Sequence, residues 1–271
     1  MRVNKILNTK YNEFIIIGNG AVGSFLHSLL DDSFRLLGKK DPLEISDNSL
    51  IIIATKAYDL ENILSQFNRT HFPEIILVQN GYLDDIIAPY PFAFFRLLLD
   101  FGIEKENNEF QVHGTGAFYT DHYAVYQMLM SKAATYYCED TLCMRWKKLI
   151  TNSVINPISA LYNVKNKDIF QYDTLIMNII DEGLHIANVF LKPELTYKEA
   201  HDYVCSVMTK TGSNSSSMLQ DIHKRKKTEI ECINGALIRL GKHYGMSVST
   251  NQLLYDQVKN LEKSYLCSEK Y

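Results

Sequence analysis

The 271-residue sequence contains no apolar run long enough to span a bilayer. The stretch around Pro91 to Phe101 is interrupted by Arg96 and Asp100, and the opening Met-Arg-Val-Asn-Lys-Ile-Leu-Asn-Thr-Lys lacks the apolar core of a secretion signal. Membrane spans and export are therefore not expected, and a cytoplasmic location is. Paired cysteines are also missing. Five cysteines, Cys138, Cys143, Cys205, Cys232 and Cys267, are odd in number and scattered, which excludes a disulfide framework and a cysteine-rich zinc site and fits reduced thiols. No strong charge bias is present: the formal net charge is −3, with 22% charged and 46% hydrophobic residues. Those values describe an ordinary globular chain with no nucleic-acid partner. Internal repeats and low-complexity tracts are absent. The single basic run, Lys224 to Lys227, reads as a solvated helix face.

What is present is an alternation of two textures. Phe14 to Ile17 form a continuous apolar run suited to a strand buried on both faces. Gly18-Asn19-Gly20-Ala21-Val22-Gly23 follow at once, and then a breaker-free segment with helical spacing. Further strands are expected at Phe34–Gly38, Leu50–Thr55, Glu74–Gln79 and Phe92–Phe101, with a helix over Tyr58–Asn68. This order predicts a mostly parallel sheet binding its ligand beyond the carboxyl ends of the strands. After about residue 125 only Thr135–Cys138 looks strand-like. Lys147–Tyr162, Asp173–Phe190, Tyr197–Thr211, Ser217–Gly245 and Asn251–Tyr265 read as helices. Two domains are expected, a Rossmann-type α/β domain over 1–139 and an all-helical domain over 140–271.

The glycine spacing has a mechanical basis. Gly18 permits a tight turn, Gly20 lets the backbone approach a pyrophosphate, and Gly23 lets helix and strand pack closely. The helix N-terminus then faces the phosphates. At the end of the second strand, Lys39 and Lys40 stand where an acid would mark NAD, which favours the 2′-phosphate of NADPH; Asp41 dilutes that reading, and two solvated loop lysines would look the same.

In the helical half, Lys148, Asn152 and Asn156 recur every four residues and form one polar stripe beside Leu149, Ile150, Val154 and Ile155. Buried amides and ammonium groups require partners, which a polar ligand would supply; an exposed face carrying Lys and Asn fits the spacing equally. Asn214 to Asp221 form a second constellation, in which Ser217 and Gln220 match a capping box. A helix start of this kind also offers amides and hydroxyls to a carboxylate. Glu229 falls roughly three turns into the helix expected from Ser217 and by itself reads as a solvated acid.

Taken together, Gly18 to Gly23, Thr55-Lys56-Ala57-Tyr58, Gln79-Asn80-Gly81, Trp146 to Pro157 and Ser216 to Gly235 resemble the ketopantoate reductase family, over most of the chain. The resemblance implies a Rossmann domain followed by a helical domain in the manner of 6-phosphogluconate dehydrogenase. It also implies NADPH-dependent reduction of 2-dehydropantoate to pantoate, on the route to pantothenate and coenzyme A. By motif it places Lys148 as the catalytic lysine and Glu229 as the active-site glutamate, the latter also on the cofactor side. Asn80, Asn152, Asn156, Asn166, Asn214 and Ser217 fall on the substrate side, and Gly18, Asn19, Gly20, Ala21, Val22, Gly23, Lys56 and Asn80 on the cofactor side, to which the strand-end reading above adds Lys39. No metal is implied. A small-molecule 2-oxo acid is the expected partner, to a monomer or homodimer. Reduction of another branched oxo acid, or dinucleotide sensing without catalysis, are the competing readings. One departure stands out: residues 39–49 are too few for an ordinary strand–helix–strand crossover.

Overall fold

The computed structural model describes residues 10–30, 33–67, 72–106 and 109–266; the first nine residues of the leader, Asn68 and Cys267 lie outside them. The described residues form two compact units, one running to residue 79 and resuming over 83–141, the other of 80–82 and the residues from 142 onward.

The first unit contains β1 (Glu13–Ile17), α1 (Ala21–Leu30), β2 (Arg35–Leu37), β3 (Ser49–Ile53), a 3₁₀ turn (Ala57–Asp59) leading into α2 (Leu60–Leu64), β4 (Glu74–Leu77), α3 (Asp84–Ile87), β5 (Ala93–Glu106), β6 (Glu109–Thr120), α4 (Tyr123–Leu129) and β7 (Thr135–Tyr137). They build a seven-stranded sheet in the order β2-β1-β3-β4-β5-β6-β7. Neighbours from β2 to β5 pair parallel, β5 and β6 antiparallel, and β6 and β7 parallel. The strand residues Ile15, Ile16, Leu50 to Ile53, Ile75 and Ile76 have no solvent exposure. Side chains alternate along a strand. Ile16, Ile52 and Ile76 accordingly share a core with Leu26 and Leu30 of α1, while Ile15, Ile51 and Ile75 face the opposite side.

The shortened segment is a loop over residues 38–48 with no helix. It passes from the end of β2 to the start of β3 and is tied beneath β1: Asn12 donates to the carbonyls of Asp47 and Asn48, both at 3.1 Å, and Arg35 to that of Glu44. The edge beyond β1 therefore carries β2 alone. Besides the unforeseen short helices α3 and α4, the sheet itself differs from the sequence expectation. The fifth strand runs on to Glu106, and β6, unforeseen, returns against it as a long hairpin, because polar residues such as Gln111 and His113 obscure its alternation.

The second unit comprises α5 (Leu142–Tyr162), a 3₁₀ segment (Asn166–Tyr172), α6 (Asp173–Phe190), α7 (Tyr197–Lys210), α8 (Ser217–His223), a 3₁₀ turn (Ile230–Cys232), α9 (Asn234–Tyr244) and α10 (Ser249–Leu266). Trp146, Ile150, Val154 and Ile158 of α5 pack with Ile179, Ile180, Val204, Ile233, Leu237 and Val258 from the surrounding helices, so α5 is the central element. The single helix expected over Ser217–Gly245 is broken. Glu262 of α10, only 1% exposed, accepts from the backbone N–H of Thr228 at 2.6 Å and from its hydroxyl at 2.7 Å. Tyr265 donates to the carbonyl of Lys226 at 2.9 Å. Tertiary partners thus take backbone groups that helix bonds would otherwise satisfy. Lys224 to Lys227 belong to the resulting exposed turn, not to a helix face.

Among the described residues no helix is long and apolar enough to cross a membrane, and no cluster of three or more His, Cys, Asp or Glu is placed to hold a metal. Cys138, Cys143, Cys205 and Cys232 are free thiols.

Candidate functional site

In the sheet unit the glycine turn joins β1 to α1. Gly18 adopts φ +114°, and a Cβ there would lie 2.8 Å from the backbone of Ala54 and Thr55. At Gly23 a Cβ would lie 1.8 Å from the carbonyl oxygen of Gly18, so helix and turn approach as closely as glycine allows. Gly20 differs from both: it is exposed, with nothing within 4 Å of its added Cβ. Open space over the turn and the first amides of α1, at Ala21 and Val22, form the kind of cradle that receives a phosphate. Asn19 is exposed, and its carbonyl accepts from the Ser24 hydroxyl at 3.0 Å.

At the carboxyl ends of the neighbouring strands β3 and β4, the hydroxyl of Thr55 and both amide atoms of Gln79 are buried with no hydrogen-bond partner among the described residues. A bound polar group would complete them. Lys56 is half-buried, extended at φ −66° and ψ 149°, just before the 3₁₀ turn. Lys39 is exposed and ion-paired with Asp59 at 3.1 Å, a partner that the linear sequence did not reveal.

The helical unit gathers the other named residues. Lys148 and Asn152 are half-buried on α5, and Asn156 is 4% exposed. The Asn152 Nδ2 is buried without a partner. One turn on, Pro157 lies inside the helix and has no N–H to give the Ser153 carbonyl. Asn234, at the start of α9, takes that carbonyl instead at 3.1 Å. Proline thus converts a lost helix bond into a tie between α5 and α9.

The α8 start is held to the same helix. Ser159 and Ser216 share a hydrogen bond, and Ser216, not Ser217, is the N-cap, accepting from the Leu219 N–H at 3.1 Å. Ser217 is exposed at the first helical position. Asn214 sits in the preceding turn, and its carbonyl accepts from the N–H of Asn166 at 3.0 Å. Asn166 is buried, donates to the Thr211 hydroxyl at 2.8 Å, and keeps its Oδ1 unpartnered.

Glu229 is neither solvated nor inside a helix: it is 6% exposed and directly precedes the 3₁₀ turn Ile230–Cys232. Its carbonyl accepts from the Cys232 N–H at 3.0 Å, and the Cys232 carbonyl accepts from the Tyr82 N–H at 2.8 Å. Gly81, at φ +97°, fits because a Cβ would come within 2.4 Å of that same carbonyl. Asn80 and Glu229, remote in sequence, are therefore anchored to one short backbone ladder. The Tyr82 ring in turn packs against Trp146 of α5, their centroids 5.7 Å apart.

Comparison with known proteins gives a consistent picture. Residues 140–262 match the family described as ketopantoate reductase PanE/ApbA C terminal. The 2-dehydropantoate 2-reductase of Yersinia pestis is 26% identical over 245 residues, covering 85% of this chain and 80% of the relative. That of Archaeoglobus fulgidus is 26% identical over 289 residues, covering 91% and 97%. The Shigella flexneri enzyme reaches 38% identity, over 122 residues that cover 44% of this chain and 39% of the relative. Among solved structures, the ternary structure of D-mandelate dehydrogenase with NADH and anilino(oxo)acetate aligns with a TM-score of 0.79 at 21% identity, covering 93% of this chain and 99% of that one. A probable 2-dehydropantoate 2-reductase from Bacillus subtilis aligns with a TM-score of 0.74 at 22% identity, covering 92% and 99%. At these identities the structures speak for the fold.

Proposed function

This chain belongs to the ketopantoate reductase family, and we propose that it is an NADPH-dependent oxidoreductase that reduces 2-dehydropantoate to pantoate, with Lys148 as the general acid. The observation that carries the reading is the polar face of α5. There Lys148, Asn152 with its unpartnered buried amide, and Asn156 share one helix face, and the α8 start and the Glu229 turn belong to the elements fastened around that helix. The Asn152 Nδ2, buried on a core helix without a partner, is the group that a bound polar ligand would complete.

When bound, the reduced nicotinamide supplies the hydride. Negative charge then develops on the substrate's ketone oxygen, where the Lys148 ammonium stabilises it and delivers a proton from Nζ. Glu229 orients that ammonium. Asn152 and Asn156 direct the ketone and hydroxyl groups, with Asn80 beside the reacting carbon, and Asn214, Ser217 and Asn166 hold the carboxylate end. The glycine turn fits the pyrophosphate by its open Gly20 and helix amides, and Lys56 lies on the cofactor side. The ion pair with Asp59 weakens the part Lys39 would play at a 2′-phosphate. The setting is the cytoplasm and the supply of pantoate for pantothenate and coenzyme A.

A second reading, reduction of a different 2-oxo acid with NADH, draws on the fold shared with D-mandelate dehydrogenase. Steady-state oxidation of NADPH and NADH with ketopantoate and a panel of other 2-oxo acids separates the two. Fastest turnover with ketopantoate and NADPH is expected; a better 2-oxo acid installs the second reading, and no oxidation with any pair removes both.

A further inference from the structure

Lys105, near the end of β5, has no part in any motif, yet the hairpin carries it to the glycine turn. Its ammonium lies 3.1 Å from the hydroxyl of Ser24 and 5.9 Å from the centre of the Phe110 ring. Phe110 in turn packs edge-on against Phe25 of α1 at 5.6 Å. Ser24 is 9% exposed; its N–H donates to the Gly20 carbonyl at 2.9 Å and its hydroxyl to the Asn19 carbonyl at 3.0 Å. One hydroxyl thus separates the cation from the backbone of the turn.

That placement is unfavourable as it stands. The N-terminus of a helix carries partial positive charge and repels a cation. The first turn of α1 contains no acidic residue, and Lys105 has no carboxylate partner among the described residues. Lys39, one of the two lysines read above toward the 2′-phosphate, is by contrast already paired with Asp59. An anion seated over Gly20 would satisfy the helix end and the ammonium together.

We propose that Lys105 is a cofactor-binding residue, delivered by the β5–β6 hairpin to pair with the pyrophosphate of the dinucleotide. The proposal rests on the dinucleotide reading given above and adds to it a residue 81 positions away from Ser24 in sequence. A lysine acts here as a point charge, without the geometric demand of an arginine fork. Its contribution depends on charge, not on the nicotinamide or the adenosine 2′-position, so NADPH and NADH should feel it equally.

The test is direct binding, by titrating the full chain with NADPH and with NADH and following protein fluorescence or heat. Lys105→Ala is expected to weaken both dinucleotides about tenfold, and Lys105→Arg to recover most of that loss. The gap between wild type and Lys105→Ala should narrow at high ionic strength, as a partly exposed charge contact requires. Lys105 is exposed, so an unchanged melting temperature is expected for both variants and serves as the folding control. Equal affinities of wild type and Lys105→Ala would overturn the proposal, and so would a loss confined to NADPH, which would move the contact to the 2′-phosphate. Failure of the underlying reading has a different signature: the wild-type chain itself would bind neither dinucleotide.

Discussion

The two units present their chemistry in contrasting ways. In the helical unit the assigned groups radiate from one helix: Lys148, Asn152 and Asn156 lie on successive turns of α5, and the loops around it are pinned by Asn234 and Ser216. In the sheet unit they collect from separate strand ends, with Gly20 after β1, Thr55 after β3, Gln79 after β4 and Lys105 from the far hairpin. A helix writes its active face into sequence at a fixed period, whereas a parallel sheet assembles its site from residues whose spacing depends on every intervening loop. The trimmed loop over residues 38–48 shows the consequence: the sheet keeps its glycine turn while its outer edge is reduced to β2.

The largest effect expected on either side of this comparison belongs to α5. Lys148→Ala should lower kcat by roughly 10²–10⁴-fold with an unchanged far-ultraviolet circular dichroism spectrum; near-normal turnover would break the claim that this helix carries the proton donor. The corresponding lesion in the sheet unit is Gly23→Ala. Its Cβ would collide with the Gly18 carbonyl at 1.8 Å, at a cost of about 3 kcal/mol in overpacking, so dinucleotide binding should be lost while the α5 substitution leaves it intact. Retained binding by Gly23→Ala would show that the turn is not the cofactor cradle.

An intermediate effect is expected where the helical unit borrows a segment from the sheet half of the sequence. Gly81→Ala combines a left-handed φ of +97° with a 2.4 Å approach to the Cys232 carbonyl, a strain of about 1–2 kcal/mol. It should displace Asn80 relative to Glu229 and reduce kcat about tenfold, more than it raises KM. A pure KM effect would instead make this ladder a substrate-binding device.

The smallest effect separates the units by pH. In the sheet unit burial pushes the His122 imidazole below its usual pKa, and its Nδ1 accepts from the Val125 N–H at 3.2 Å to cap α4, which requires the neutral ring. Burial alone would raise the carboxyl of Glu74, but hydrogen bonds from Lys10, Tyr11 and His122 outweigh it and hold the pKa down at about 2. Because the unfolded chain takes up protons on histidine near pH ~6.5 and on glutamate near ~4.3 while the folded unit resists, both groups favour folding at neutral pH. Stability should fall as pH drops below about 6.5, and further below about 4.3 toward 2. Melting curves between neutral and acid pH should show this decline, flattened above the glutamate range in His122→Gln.

How much the sequence disclosed follows the same division. The buried runs Ile15–Ile17 and Leu50–Ile53 announced a parallel sheet, and the i, i+4 rhythm of Lys148, Asn152 and Asn156 announced the polar face. The break after His223 was invisible, because the groups that stop the helix, Glu262 and Tyr265, are more than thirty residues further along the chain. The environment of Glu229 was misread for that reason. The Asn80–Glu229 ladder, the Lys39–Asp59 pair and the approach of Lys105 to Ser24 are likewise tertiary facts with no local signature. Pro157 lies between these cases: its disruption of a helix bond is written in the sequence, but the amide that repairs it is not.

The central claim, hydride transfer to an oxo acid on a face built around Lys148, is tested most directly with NADPH deuterated at the reactive C4 position. Incubation of the protein with ketopantoate should yield pantoate carrying one deuterium at C2, detected by mass spectrometry and proton resonance, and Lys148→Ala should suppress its formation. Consumption of the labelled cofactor without deuterium at C2, or the absence of pantoate altogether, would contradict the account.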